Sequence, residues 1–229
     1  MTYDPTYIIF MIPAFLLMAA ASWYVRSSYN KWSKVRASSG LTGAQAAQRL
    51  ISTGNLYGVE VKGVRGNLSD HYDPRNKTLN LSEGVYDSPS VAAVAIAAHE
   101  LGHAMQDAND YGPMRLRTAL VPMVSIGSNL GWILIIAGLL LNWINLAWLG
   151  VLVFSGGALF ALATLPVEFN ASARAKQLLQ QTGIIHTEEE IRGVNTVLNA
   201  AALTYVAGLV TAVLQLLYYV FLIGGRRRS

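Results

Sequence analysis

Three runs of this chain carry no charged side chain, Pro5 to Val25, Thr118 to Val167 and Gly193 to Gly225, and about 20 apolar residues is what an α-helix needs to cross a bilayer. In lipid, backbone polar groups must bond within their own segment, so runs of this kind have few options besides membrane helices. The first run fits one span. The middle run fits two, joined near Asn142-Trp143-Ile144-Asn145, where polar Asn and interfacial Trp mark a turn at the bilayer surface. The last fits one more, centred on Leu203 to Ile223. A composition of 53% hydrophobic and only 13% charged residues agrees. The expected fold class is a mainly α membrane protein of about four transmembrane helices with a small α+β cytoplasmic unit.

The expected organisation is transmembrane helix 1 at 1–25, a cytoplasmic unit at 26–117, a transmembrane hairpin at 118–167, a cytoplasmic helical segment at 168–202, and transmembrane helix 4 with a basic tail at 203–229. Ala19-Ala20-Ala21 offers small residues for signal cleavage, but Met1-Thr2-Tyr3-Asp4 lacks the positive charge that opens a signal peptide, so the first helix is expected to stay. Arg26, Lys31, Lys34 and Arg36 crowd its other end, which places the N-terminus outside and Arg26 in the cytoplasm. Four spans then return the chain to the outside, whereas Arg226-Arg227-Arg228 favours the inside by the same rule. Either the earlier basic clusters outvote the tail, or one hydrophobic segment is re-entrant or interfacial. The formal charge of +4 is accounted for by juxtamembrane basic residues meeting anionic lipid and gives no reason to invoke nucleic acid. With no cysteine, thiolate metal ligands and a thiol nucleophile are excluded, and a reducing compartment is fitting.

The chemistry lies in His99-Glu100-Leu101-Gly102-His103. Two histidines four apart on a helix aim their imidazoles at one spot, a zinc site, and the Glu after the first His lies beside the metal's open position, where it can take a proton from water. The reaction this pattern predicts is peptide-bond hydrolysis, with Glu100 as the catalytic base and His99 and His103 as metal ligands. Ser88-Pro89 reads as an N-cap followed by Pro at the first helical position, and Val91 to Ala98 is an apolar run leading into His99. The motif is therefore expected on a buried helix.

Upstream, residues 42–53 read as a short helix closed by Gly54, Val59-Glu60-Val61 as a strand, Asp73-Pro74-Arg75-Asn76 as a turn, and Thr78-Leu79-Asn80-Leu81-Ser82 as a second strand. That second strand is either an edge on which an extended substrate adds by backbone hydrogen bonds, or an ordinary hairpin. Gly127-x-x-x-Gly131 and Ser155-Gly156-Gly157 are expected to allow close helix packing in the bilayer.

Zinc needs a third protein ligand, and His71 and His186 are the only other histidines. Among carboxylates, Glu168 stands out, because it follows Pro166 at a membrane boundary and opens Glu168-Phe169-Asn170-Ala171-Ser172. On spacing alone it is either the ligand or an interfacial carboxylate that begins a helix.

His99-Glu100-Leu101-Gly102-His103 followed by the Glu168 segment resembles the membrane-bound gluzincins, the HtpX-type and CAAX prenyl protease groups, whose third ligand lies in a Glu-x-x-Ala-Asp pattern. Together with Ser69-Asp70-His71-Tyr72-Asp73-Pro74 and Leu79-Asn80-Leu81-Ser82, the chain is more similar still to the neutral zinc metallopeptidases of bacterial membranes, the YugP-like family, over nearly its whole length. The resemblance implies Zn2+ as cofactor, Glu168 as third ligand, and a multi-pass protein of the bacterial inner membrane with a cytoplasmic active site. Ser172 departs from the wider gluzincins, where an Asp steadies a ligating His, and that role would pass to Asn170, Asp107 or a backbone carbonyl. An oxyanion-stabilising donor would come from His71, Tyr72, Arg174 or His186. The implied partners are membrane lipid and protein or peptide substrates near the bilayer, and the pattern is compatible with a homo-oligomer or a membrane partner protein. Two other classes fit less well. A catalytically inactive zinc-containing scaffold would not be expected to keep the full residue set, and a metal transporter would be expected to carry charge within a span.

Overall fold

A computed structural model of the chain describes residues 5–226; the uncharged-to-acidic leader at 1–4 and the basic tail at 227–229 lie outside the described residues. The elements are α1 (Pro5–Trp32), α2 (Gly43–Thr53), β1 (Glu60–Val64), β2 (His71–Asp73), β3 (Thr78–Ser82), a single turn α3 (Glu83–Tyr86), α4 (Val91–Ala108), α5 (Gly112–Leu140), α6 (Ile144–Gln181) and α7 (Glu188–Arg226). The described residues are mainly helical with one small sheet. Among the described residues three helices, α1, α6 and α7, are long and apolar enough to cross a membrane. α5 makes a fourth only if its two parts, Gly112–Pro122 and Val124–Leu140, bent by 47°, count as one span. Pro122 accounts for the break, since it lacks an N–H and its ring clashes with the preceding turn. The turn expected near Asn142 joins α5 to α6, and Asn142 takes a φ of 52°, a left-handed conformation that Asn tolerates better than most residues.

The chain divides into two compact units. One comprises the residues up to Ser22, Arg115–Pro166 and those from Thr204 onward. Its buried centre is Ile135, Ala147, Val151, Tyr219 and Ile223. Helix approach there depends on small residues: a Cβ on Gly131 would come within 2.7 Å of the Phe154 nitrogen, and one on Gly138 would fall on the Ala147 backbone. Gly156, by contrast, faces open space.

The other unit is Trp23–Met114 with Val167–Leu203. α2 begins with a capping box, in which Thr42 Oγ1 accepts from the Gln45 N–H at 3.3 Å and Gln45 Oε1 accepts from the Thr42 N–H at 3.0 Å. Its Ala46, Ala47 and Leu50 are buried. The sheet order is β1-β3-β2, with β3 parallel to β1 and antiparallel to β2. Thr78–Ser82 is thus flanked on both sides and forms a hairpin with β2, and the free edges are β1 and β2. Asp73 shapes the hairpin turn by accepting from the Arg75 N–H and the Asn76 amide, both at 2.9 Å. At the other end Asp70 accepts from the Ser82 N–H at 2.7 Å, locking the register that sets Tyr72 opposite Leu79.

α4 starts at Val91, capped by Ser90 Oγ accepting from the Ala93 N–H at 3.2 Å, and not at Ser88-Pro89. Tertiary pairing explains the difference: Pro89 O accepts from the Ala37 N–H, the Val91 N–H donates to Val35 O, both at 2.9 Å, and Ser90 bridges Arg36. That pairing stretches the chain before the helix can begin. From Val91 to Leu101 nearly every side chain of α4 is buried, among Leu50, Leu79, Leu81, Leu179 and Leu198. Each such large aliphatic side chain contributes roughly 1.5–3 kcal/mol.

Candidate metal centre

His99 and His103 are four apart on α4 and share a face. Their Nε2 atoms lie 3.3 Å and 3.5 Å from one oxygen, Glu168 Oε2. The rings meet edge to face with centroids 4.9 Å apart. All three side chains are buried, Glu168 to 2% exposure, and their ligand atoms lie within 4.8 Å of one another.

Two imidazole nitrogens and a carboxylate oxygen this close together form a donor set that could hold a divalent cation such as zinc. The electrostatics agree. Burial lowers the His103 pKa, but the hydrogen bond to Glu168 and the carboxylates of Glu100 and Glu168 outweigh it and raise the proton affinity, so the cluster draws positive charge.

Behind the rings, hydrogen bonds fix which nitrogen is bare. His103 Nδ1 lies 3.0 Å from Gln106 Oε1. The Gln106 amide donates to Val167 O at 2.7 Å and to Asn170 Oδ1 at 3.0 Å. With its N–H groups given to carbonyl acceptors, Gln106 presents Oε1 as an acceptor, so His103 carries its proton on Nδ1 and offers a lone pair at Nε2. His99 Nδ1 meets Ser172 Oγ at 3.2 Å. Ser172 itself therefore supports His99; Asn170 holds Gln106, and Asp107 accepts from the Tyr72 hydroxyl at 2.9 Å.

Glu168 does not open a helix. α6 runs through Pro166, which forfeits one N–H bond, and carries Glu168 within its length. α4 closes onto it through Gly102, where a Cβ would fall on the Ala171 carbonyl.

Glu100 Oε2 accepts from the Tyr72 N–H at 3.0 Å, which ties the carboxylate to edge strand β2. Burial, then the bond to Asp107, pushes the Tyr72 hydroxyl above its ordinary range, so it stays protonated at neutral pH. His71 is exposed and held by Ser69 O at 2.9 Å and by the Asn80 amide at 3.3 Å; alternation along β2 turns it away from buried Tyr72. His186 is exposed between α6 and α7. Neither joins the cluster. Arg174 donates from Nε to Asn170 Oδ1 at 2.7 Å and lies over the Tyr111 ring at 5.9 Å. Gln106, Gly102 and the contact of Ser172 escape sequence reasoning. Only Gln106 leaves a signal, a polar side chain three residues beyond His103 on an apolar helix face.

Residues 7–224 match the family described as "Putative neutral zinc metallopeptidase". The curated "Putative membrane protease YugP" of Bacillus subtilis (strain 168) is 46% identical over 218 residues, which cover 93% of this chain and 96% of that relative. No solved structure matches the chain.

Proposed function

Because the chain belongs to the family of neutral zinc metallopeptidases, we propose that it is an integral-membrane zinc metalloendopeptidase of the gluzincin type, with His99, His103 and Glu168 as metal ligands and Glu100 as general base. The observation that carries this reading is the convergence of two imidazole nitrogens and a buried carboxylate within 4.8 Å. Zinc held there would supply the Lewis acidity that makes water acidic enough to lose a proton near neutral pH. Glu100, held in place by the Tyr72 N–H, would take a proton from the attacking water and return it to the leaving amine. Edge strand β2 is tied to Glu100 by that N–H and so flanks the path of an extended peptide. The Bacillus relative is named a membrane protease, and a site tethered by apolar helices reaches membrane proteins and their juxtamembrane segments first. Detergent-purified protein is expected to cleave casein and to stop when zinc is chelated. Cleavage that persists without metal would refute the reading.

Gln106 tests the support behind His103. Gln106→Leu removes the acceptor for the Nδ1 proton in a position with no exposure, and is expected to lower zinc affinity or hydrolysis about 10–100-fold. Zinc binding and turnover equal to those of the wild type would show that the tautomer is set elsewhere.

The site also bears on topology. His99 and Glu168 belong to one cluster, so the chain between them crosses the membrane an even number of times. If α6 crosses, bent α5 crosses too, which supports four spans with the cluster in the cytoplasm and both ends of the chain outside. The basic residues after α1 favour the same orientation. Ser38 is tied to Glu190 at 2.7 Å and 3.0 Å, so exposed Gln48 is a better place for a probe. With a membrane-impermeant thiol reagent on intact cells, Gln48→Cys should be protected and Leu141→Cys and Ser229→Cys labelled. Labelling at Gln48 reverses the orientation, and protection at Ser229 makes the crossing count odd.

A further inference from the structure

Beyond the metal cluster, a cavity of about 370 Å³ is lined by Met105, Asn170, Arg174, Gln177, Leu178 and Gln181, with Ala173 at its wall. Neither His99, Glu100, His103 nor Glu168 lines it. Its volume falls at the small end of the ~300–1,000 Å³ that ligand pockets occupy. Asn170, Arg174, Gln177 and Gln181 recur at helical spacing and form one polar stripe on α6.

Arg174 gives this stripe its character. Its guanidinium is anchored by Nε on Asn170 and lies over Tyr111, yet among the described residues it pairs with no carboxylate. Both Nη groups are left to donate, next to two glutamine amides on exposed side chains that make no other side-chain bond among the described residues. A permanently charged planar fork beside neutral amide donors matches the geometry of a phosphate or carboxylate. The pocket is also wired to the metal cluster. Asn170 Oδ1 accepts from both Arg174 and Gln106, and Gln106 accepts from His103. That chain leaves His103 by Nδ1, the nitrogen turned away from Glu168, so it leads behind the metal ligands.

We infer that this pocket binds an oxyanion group, phosphate or carboxylate, carried by a small soluble molecule or by a lipid headgroup, and that its occupancy reaches the metal cluster through Asn170, Gln106 and His103. An anion that draws the guanidinium toward itself loosens the hold on Asn170, and with it the placement of Gln106. The coupling rests on the metal reading above; the binding does not.

The test uses the full chain in phosphatidylcholine nanodiscs, titrated with inorganic phosphate against chloride at equal ionic strength, with the thermal midpoint as readout. The wild-type midpoint should climb with phosphate and saturate. Arg174→Gln, and Gln177→Glu on an exposed site, which sets a carboxylate one turn from the guanidinium, should each bind phosphate roughly tenfold or more weakly. If the source is a headgroup, replacing phosphatidylcholine with phosphatidylglycerol raises the wild-type midpoint without added phosphate and leaves Gln177→Glu unmoved. Equal stabilisation of the wild type and both variants, as phosphate on the metal itself would give, or no response in either arm, overturns the site. Zinc affinity by chelator competition should shift with phosphate in the wild type alone, and a constant value overturns the coupling.

Discussion

Glu100→Gln is expected to lower peptide hydrolysis by about 10²–10⁴-fold, the usual loss for a general base, while zinc stays bound. The substitution keeps size and shape, and the Gln carbonyl can still accept from the Tyr72 N–H that now holds the carboxylate at 3.0 Å. Glu100 is not one of the three side chains of the cluster, His99, His103 and Glu168, so the proposed site loses no ligand. What disappears is the carboxylate proposed to receive the proton. The measurement is paired on one detergent preparation: zinc per chain by elemental analysis, and hydrolysis of casein or a membrane-derived peptide. Unchanged hydrolysis with zinc still bound would sink the assignment of Glu100, and a wild type that binds zinc without any hydrolysis would favour the inactive zinc scaffold instead.

Glu168→Ala is expected to strip the protein of zinc and activity together, while the chain stays in the membrane. Glu168 supplies the only carboxylate of the cluster and is almost completely buried, so its loss leaves two imidazoles and no carboxylate ligand to hold a divalent cation. Helix α6 does not depend on it, because the apolar run that precedes it ends at Val167. Purified Glu168→Ala that retains stoichiometric zinc would mean that a different side chain completes the set. Exposed His71 and His186, each outside the cluster, make poor substitutes.

The features legible in the sequence are those set by local pattern. Runs without charge announce α1, α6 and α7, and the spacing of His99 and His103 on a helix follows from 3.6 residues per turn alone. Thr42 and Gln45 announce the start of α2 by a pairing that needs only three residues of separation. Features that depend on distant partners were not legible. β3 lies at the centre of its sheet because β1 joins it in parallel across the intervening β2, a pairing no hairpin pattern signals. Pro89 is kept out of α4 by Ala37, far away in sequence. Glu168 stands out by its place at a membrane boundary, but only resemblance favours ligand over interfacial carboxylate, since nothing in its own segment says which face of α6 meets α4. The closeness of that meeting depends on Gly102 facing the Ala171 carbonyl, and the orientation of both imidazoles depends on Gln106 and Ser172, whose roles exist only once the two helices touch.

The central claim is that one zinc ion, held by His99, His103 and Glu168, makes this membrane protein a peptidase. It is tested most directly by stripping the wild-type protein of metal in detergent and adding zinc back while casein hydrolysis is followed. Hydrolysis should be absent in the metal-free protein, rise in proportion to added zinc and level off near one ion per chain, with Glu168→Ala showing no recovery over the same range. Hydrolysis by the metal-free protein, or equal recovery in Glu168→Ala, would contradict it.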